Sequence, residues 1–267
     1  MKKLKAIIFD VDGTLADTEE VHRLAFNHTF TEHGLDWNWT PDLYEELLVI
    51  SGGRERITSF GQHLRARFAD ERKFDEFVVS LHKAKTRKYA AMLTEGEVAL
   101  RPGIGRLIGE ARDAGVVLAI ATSSAKSNVE TLLDNNLSPG WRDWFSAIET
   151  CDTVVEKKPS PAVYKAVLKR LGIDVDLLIA FEDTPNGLGS ATAAGLATIV
   201  TTHRFTRDHD FYGAELVIDS VGEPDQPFTV TAGDAFGHRY VDLELLDKIM
   251  SKGAQAEVPY SAARATA

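Results

Sequence analysis

The spacing of apolar residues changes along the chain, and the changes divide it. Leu4 to Phe9 is a short apolar run that stops at Asp10-Val11-Asp12-Gly13, the pattern of a buried strand followed by a glycine turn. From about residue 18 to 95 no strand-like run occurs, and apolar residues return at helical intervals. Phe74, Phe77, Val78 and Leu81 stand at i, i+3, i+4 and i+7, one face of a helix. Leu43, Leu47 and Ile50 repeat this less cleanly, and Ser51-Gly52-Gly53 marks a loop between helices. After Pro102-Gly103 strands and helices alternate. A helix over 104–114 ends at Gly115, a continuous apolar strand fills 116–121, and a helix covers 126–134. A short strand follows at 145–149, then a helix opened by Ser160-Pro161 and stopped near Gly172. Strands at 177–181, 197–201 and 216–218 flank a helix from Pro185 to Ala194, and Gly233 to Gly237 reads as a loop.

Repeated strand–helix units predict an α/β fold with a Rossmann-like parallel sheet and right-handed crossovers. The expected division is a core of residues 1–15 and 98–250, an inserted all-helical cap over 16–97, and a loose tail over 251–267. Connections near Leu15-Ala16 and from Thr94 to Leu100 would serve as hinges. With 30 Lys+Arg against 40 Asp+Glu, the net charge of −10 argues against a nucleic acid or an anionic membrane surface as the main partner. An anionic substrate must then be held by a few local cations. Apolar runs are too short to span a bilayer, and the first stops at a carboxylate, so no signal peptide is expected. The lone Cys151 fits a reducing cytoplasm. The eight histidines lack zinc-ligand spacing; His203 and His209, in a polar segment, are expected to face solvent. Gly103, Gly105 and Gly109 lack the spacing of a dinucleotide loop, so no nicotinamide cofactor is expected.

In an open parallel sheet, ligands bind beyond the carboxyl ends of the strands. The first strand ends in Asp10 and Asp12, the next in Thr122-Ser123-Ser124, a later one in Glu182-Asp183, and Lys158 precedes the helix at Ser160. Taken singly, Asp-x-Asp-Gly also suits a plain Asx turn and a lysine a surface charge. Together they gather carboxylates, a hydroxyl and an ammonium at one crevice. Such carboxylates repel one another unless a hard cation joins them, and Mg²⁺ prefers a few carboxylate oxygens with waters and a substrate phosphate. Thr122 and Lys158 suit the non-bridging oxygens of a phosphoryl group.

These residues resemble the haloacid dehalogenase superfamily. Phe9-Asp10-Val11-Asp12-Gly13-Thr14-Leu15 is similar to its first motif, Thr122 to the second, Lys158-Pro159 to the third and Glu182-Asp183 to the fourth. The resemblance implies Asp10 as nucleophile, forming an aspartyl-phosphate, and Asp12 as acid to the leaving oxygen and then base to water. It implies Mg²⁺ on Asp10, Asp183 and the Asp12 carbonyl, with Glu182 close by. Asp12 would need a raised pKa to act as an acid at neutral pH. The insertion after the first motif resembles the family's helical cap. Asp17 to Asn27, Trp37-x-Trp39, Tyr44 and Gly52-Gly53-Arg54-Glu55-Arg56 look like the CbbY subfamily, which implies hydrolysis of xylulose-1,5-bisphosphate, a Rubisco inhibitor, to xylulose 5-phosphate. The expected substrate contacts are Glu19, His22, Arg23, Tyr44, Gly52, Gly53, Arg54, Ser123 and Ser124, with Arg23 and Arg54 on the second phosphate. Trp37 and Trp39 are expected to pack between helices. β-Phosphoglucomutase, which shares core and cap, or another sugar-phosphate phosphatase is the alternative; a non-catalytic regulator disagrees with the intact motifs. The expected partner is a small sugar bisphosphate, and a monomer is the working expectation.

Overall fold

The computed structural model describes residues 3–253 apart from Ser51 and Glu97. Its centre is strand β1 (Ala6–Phe9), every residue of which is buried. The chain then leaves the sheet for helices α1 (Glu19–Glu32), α2 (Pro41–Leu47), α3 (Gly53–Phe60) and α4 (Glu71–Thr94), with a 3₁₀ turn at Gly61–Arg67. Thr40 and Asp70 cap α2 and α4, their side chains accepting from Leu43 N and Lys73 N at 3.3 and 2.8 Å. The chain returns through α5 (Ile104–Asp113), β2 (Val117–Ala121), α6 (Lys126–Asn136), β3 (Phe145–Glu149), α7 (Ala162–Leu171), β4 (Leu178–Glu182), α8 (Pro185–Ala193) and β5 (Ala197–Thr201). Strands β6 (Leu216–Ile218) and β7 (Val230–Gly233) and helix α9 (Leu243–Gly253) follow.

The sheet order is β3-β2-β1-β4-β5-β6-β7, parallel except for β7, which runs antiparallel to β6. Phe9 pairs with Ile120 on one side and Phe181 on the other, so the carboxyl ends of β1, β2 and β4 lie side by side. Strand order reverses at β1, which is where a crevice opens in such sheets. The two faces differ in bulk. Ile7, Phe9, Ile120 and Phe181 point to α5, α6 and α9, while Ala6, Ala119, Ala121 and Ala180 let α7 and α8 approach. The inserted helices carry their own core, with Phe26, Phe30, Trp37, Trp39, Tyr44 and Phe74 all buried. The two connections pair with each other: Ala16 bridges Leu100, and Arg101 N donates to Leu15 O at 2.8 Å. Among the described residues no helix is long and apolar enough to cross a membrane.

Several expectations need correction. The first strand starts at Ala6, two residues late, because Leu4 N is bonded to Asp247 instead. Pro161, not Ser160, caps α7, and Ser160 Oγ accepts from Ala162 N at 3.3 Å. The stretch before Gly233 is the edge strand β7, whose exposed residues carry no apolar alternation. Helix α9 runs through 251–253, inside the expected tail; residues 254–267, like Ser51, lie outside the described residues.

Candidate active site

Lys158, at a cis Lys158–Pro159 bond, is buried beneath the sheet's carboxyl edge. Its three N–H groups are all used: Nζ donates to Asp10 Oδ1 and Glu182 Oε1 at 2.6 Å each and to Ala121 O at 3.0 Å. Tyr164 OH adds a 2.5 Å bond to Glu182 Oε1. The two carboxylates hold the ammonium charged despite its burial. Burial raises the Asp10 carboxyl to about 8, with Glu182 and Asp12 adding repulsion that Lys158 only partly offsets. Asp183, raised by burial to about 6, rests against His203, whose Nε2 lies 3.0 Å from Oδ2.

Oxygens of Asp10, Glu182 and Asp183 lie within 4.8 Å of one another, all three residues buried. Hard carboxylate oxygens, crowded and short of positive charge, are the donor set a Mg²⁺ ion takes. The Asp12 side chain is not among them. It turns toward the helical insertion, accepting from Thr18 Oγ1 at 2.6 Å, Tyr89 OH at 3.2 Å and Ser124 Oγ. Burial would raise its pKa, but the bond and charge of His22 and the bonds from Ser124 and Thr18 outweigh this. The carboxyl therefore titrates well below the ordinary range in this geometry, opposite to the raised value that the expected acid role needs.

These groups line a cavity of about 460 Å³, walled by the insertion's Glu19, Leu48, Gly52 and Arg56 and by Thr122, Ser123, His203 and His209. His22 stacks on Tyr89 with ring centroids 3.8 Å apart. Its Nδ1 contacts Lys85 Nζ, and its Nε2 lies 3.6 Å from Asp12 Oδ1. Burial pulls the Lys85 pKa down to about 7; Arg56 adds to this, while Glu19 and Asp12 oppose it. Tyr44 is fully buried and acts on the cavity through others: its OH donates to Glu19 Oε2 at 2.9 Å and accepts from Arg56 Nη1 at 3.0 Å.

The cations expected on a second phosphate stand elsewhere. Arg23 bonds Glu20 at 2.5 and 2.9 Å and Trp39 O at 2.7 Å, and is not in the cavity wall. With Asn27 one turn on, it fastens the Trp39 backbone. Arg54 is exposed and lines a separate surface cavity with Glu55 and Asp75. Gly53, first residue of α3, packs against Phe26 and His82. The cation that the helical insertion contributes to the cavity wall is Arg56, two residues beyond the one singled out. Lys85 was legible in principle, since it stands at i+4 from Leu81 and i−4 from Tyr89 on the buried face of α4. His203 is 8% exposed, so the expectation that it faces solvent is overturned; it follows β5 just as Asp10 follows β1. His209 is half-buried and its Nδ1 has no hydrogen-bond partner among the described residues.

The chain is similar to known proteins in both sequence and fold. The sequence pattern of the haloacid dehalogenase-like hydrolases matches residues 7–201. The plasmid-encoded protein CbbY of Cupriavidus necator is 45% identical over 243 residues, 91% of this chain and 95% of its own. CbbY from Rhodobacter sphaeroides, crystallised with phosphate, is 44% identical and superposes with a TM-score of 0.72 over 81% of this chain and 94% of its own. A mutant of that protein has been crystallised with xylulose-1,5-bisphosphate. A β-phosphoglucomutase from Clostridium difficile shares the fold, with a TM-score of 0.70 over 94% of this chain and 99% of its own at 21% identity. The chain belongs to the haloacid dehalogenase-like hydrolase family and is one of its phosphatases.

Proposed function

We propose that this haloacid dehalogenase-like phosphatase hydrolyses xylulose-1,5-bisphosphate to xylulose 5-phosphate, with Asp10 as nucleophile and Mg²⁺ as cofactor. One observation carries the reading: Asp10 and Arg56 of the helical insertion line the same cavity. A substrate with two anionic ends has a reacting position at one and a cationic anchor at the other. The 44% identical CbbY whose mutant binds xylulose-1,5-bisphosphate supports that choice of sugar. Residues 16–97 would act as the cap that covers it.

Asp10, Asp183 and the Asp12 carbonyl would hold the ion, with Glu182 beside them. Bound there, Mg²⁺ would neutralise charge on the phosphoryl oxygens and orient them. Asp10 attacks phosphorus and the sugar oxygen leaves, taking a proton from Asp12. The Asp12 carboxylate then takes a proton from the water that cleaves the aspartyl-phosphate. The resting geometry suits the second role, because Thr18, Tyr89 and Ser124 stabilise the charged form. For the first role, substrate must loosen those bonds so that the carboxyl can hold a proton. Thr122 and Ser123, just after β2, line the cavity and would face the transferred group. Lys158 keeps the nucleophile's Oδ1 fixed, and a phosphoryl oxygen must compete for its N–H groups. Arg56 has three N–H groups left after bonding Ile50 O and Tyr44 OH, enough for a bidentate phosphate contact. The acidic surface and lone cysteine suit a cytoplasmic monomer with no nucleic-acid or membrane partner.

The test is phosphate release from xylulose-1,5-bisphosphate, ribulose-1,5-bisphosphate and β-glucose 1-phosphate with Mg²⁺, beside Asp10→Asn. Selective release from the xylulose compound, absent in the mutant, supports the reading. Conversion of β-glucose 1-phosphate to the 6-phosphate without phosphate release would make the enzyme a mutase.

A further inference from the structure

The segment after β5 holds two buried residues that the reaction above leaves unused. His203 is 8% exposed and Phe205 is 2% exposed, and they face opposite ways. His203 Nε2 meets Asp183 Oδ2 at 3.0 Å. Phe205 is seated in the aromatic core of the inserted helices, edge-on to Tyr44 with ring centroids 5.6 Å apart. The Phe205 backbone joins the two, its N–H donating to His203 Nδ1 at 3.3 Å. A backbone amide only donates, so Nδ1 is bare, the hydrogen sits on Nε2, and Nε2 donates to Asp183. The His203 backbone is held as well, its N–H on Thr206 Oγ1 and its C=O accepting from Thr206 N and Arg207 N. Gly13 of the first motif packs on the same pair; a Cβ there would collide with both Asp183 and His203.

We propose that His203 is a positioning residue that fixes the Asp183 carboxylate for the divalent cation, and that Phe205 makes this depend on the seating of the helical insertion. The proposal rests on the metal reading given above. With Oδ2 tied to the imidazole, the carboxylate keeps one rotation and leaves its other oxygen for the ion. Hydrogen-bond partners of this kind are worth about 10- to 100-fold in metal affinity. When Phe205 is unseated, its amide moves, the imidazole loses the bond that sets its tautomer and tilt, and Asp183 is freed.

Mg²⁺ titration calorimetry without substrate, paired with melting curves, tests this. His203→Ala and Phe205→Ala are expected to weaken Mg²⁺ binding by about 10-fold or more. His203→Gln, which keeps an N–H donor, should recover most of the loss. Phe30→Leu, in the same aromatic core but away from the site, should lower the melting temperature and leave Mg²⁺ affinity within about two-fold, the scatter expected of a distant change. If His203→Ala does not fold, His203→Asn, too short to reach Asp183, takes its place. Unchanged Mg²⁺ affinity at position 203, or no recovery with Gln, overturns the positioning role. Loss at 203 with none in Phe205→Ala overturns the link to the insertion. A wild-type protein that binds no Mg²⁺ overturns instead the metal reading beneath both.

Discussion

Replacing Arg56 by alanine should separate bisphosphate from monophosphate chemistry. The side chain is 9% exposed and two of its donors are spent, on Ile50 O at 3.1 Å and on Tyr44 OH at 3.0 Å. Arg56 lines the cavity and keeps three further N–H groups. A hydrogen bond to a charged partner contributes about 1.5–3 kcal/mol net. At 1.36 kcal/mol per factor of ten, Arg56→Ala should lower kcat/KM for xylulose-1,5-bisphosphate by about 10- to 150-fold. A small phosphoester with no second anion, such as p-nitrophenyl phosphate, should lose less than about three-fold, because Tyr44 still donates to Glu19 without Arg56. Arg56→Lys keeps the charge but not the planar pair of donors, and should fall between. Arg54→Ala, on the outer surface, should change either substrate by less than about three-fold. Steady-state kinetics on both substrates read the difference. Equal losses on both in Arg56→Ala, or a larger bisphosphate loss in Arg54→Ala, would refute the assignment of the distal anchor.

Other consequences can be measured separately. Below about pH 7 the buried Lys85 is charged in both folded and unfolded chains, and its burial cost is fully present; above it the folded form sheds the proton that the unfolded chain keeps to 10.5. Lys85→Met should therefore add more stability in urea unfolding at pH 6.5 than at pH 9, and a gain that grows with pH would contradict this. Chelation with EDTA should stop phosphate release and Mg²⁺ restore it. At 100 times its Kd, Mg²⁺ should stabilise the wild type by about 2.7 kcal/mol, and Asp183→Asn much less. The Arg101 guanidinium bonds carbonyls of Gly13, Thr201, Thr202 and Asp219, tying three strand ends to the chain returning from the helical insertion. Arg101→Met leaves buried carbonyls unsatisfied and should cost more than about 1–3 kcal/mol, the penalty of one such group, in the same unfolding assay.

What was legible in the sequence depended on how locally each feature is determined. Strands β1, β2 and β4 could be read because a strand buried on both faces is a continuous apolar run, and their ends point to Asp10, Thr122 and Asp183. Strand β7 could not, since Val230–Gly233 is exposed and held only by pairing with β6. The choice between Arg54 and Arg56 turns on the rotational phase of α3, set where Gly53 opens it; a shift of two residues turns a side chain by more than half a circle. His203 was hidden by the charged residues near it, Arg204, Arg207 and Asp208, which are exposed while it is not. The Asp12 carboxyl depends on Tyr89, Ser124 and His22, brought together from three helices' surroundings, and no local pattern encodes that meeting.

Phosphoryl transfer to Asp10 is the claim on which the rest depends. Borohydride reduces an aspartyl-phosphate to homoserine, so acid-quenched enzyme taken during turnover of xylulose-1,5-bisphosphate, reduced and read by peptide mass spectrometry, reports the residue directly. The account predicts homoserine at position 10 only when substrate and Mg²⁺ are both present. Steady phosphate release with position 10 unmodified, or with the label on another residue, would contradict it.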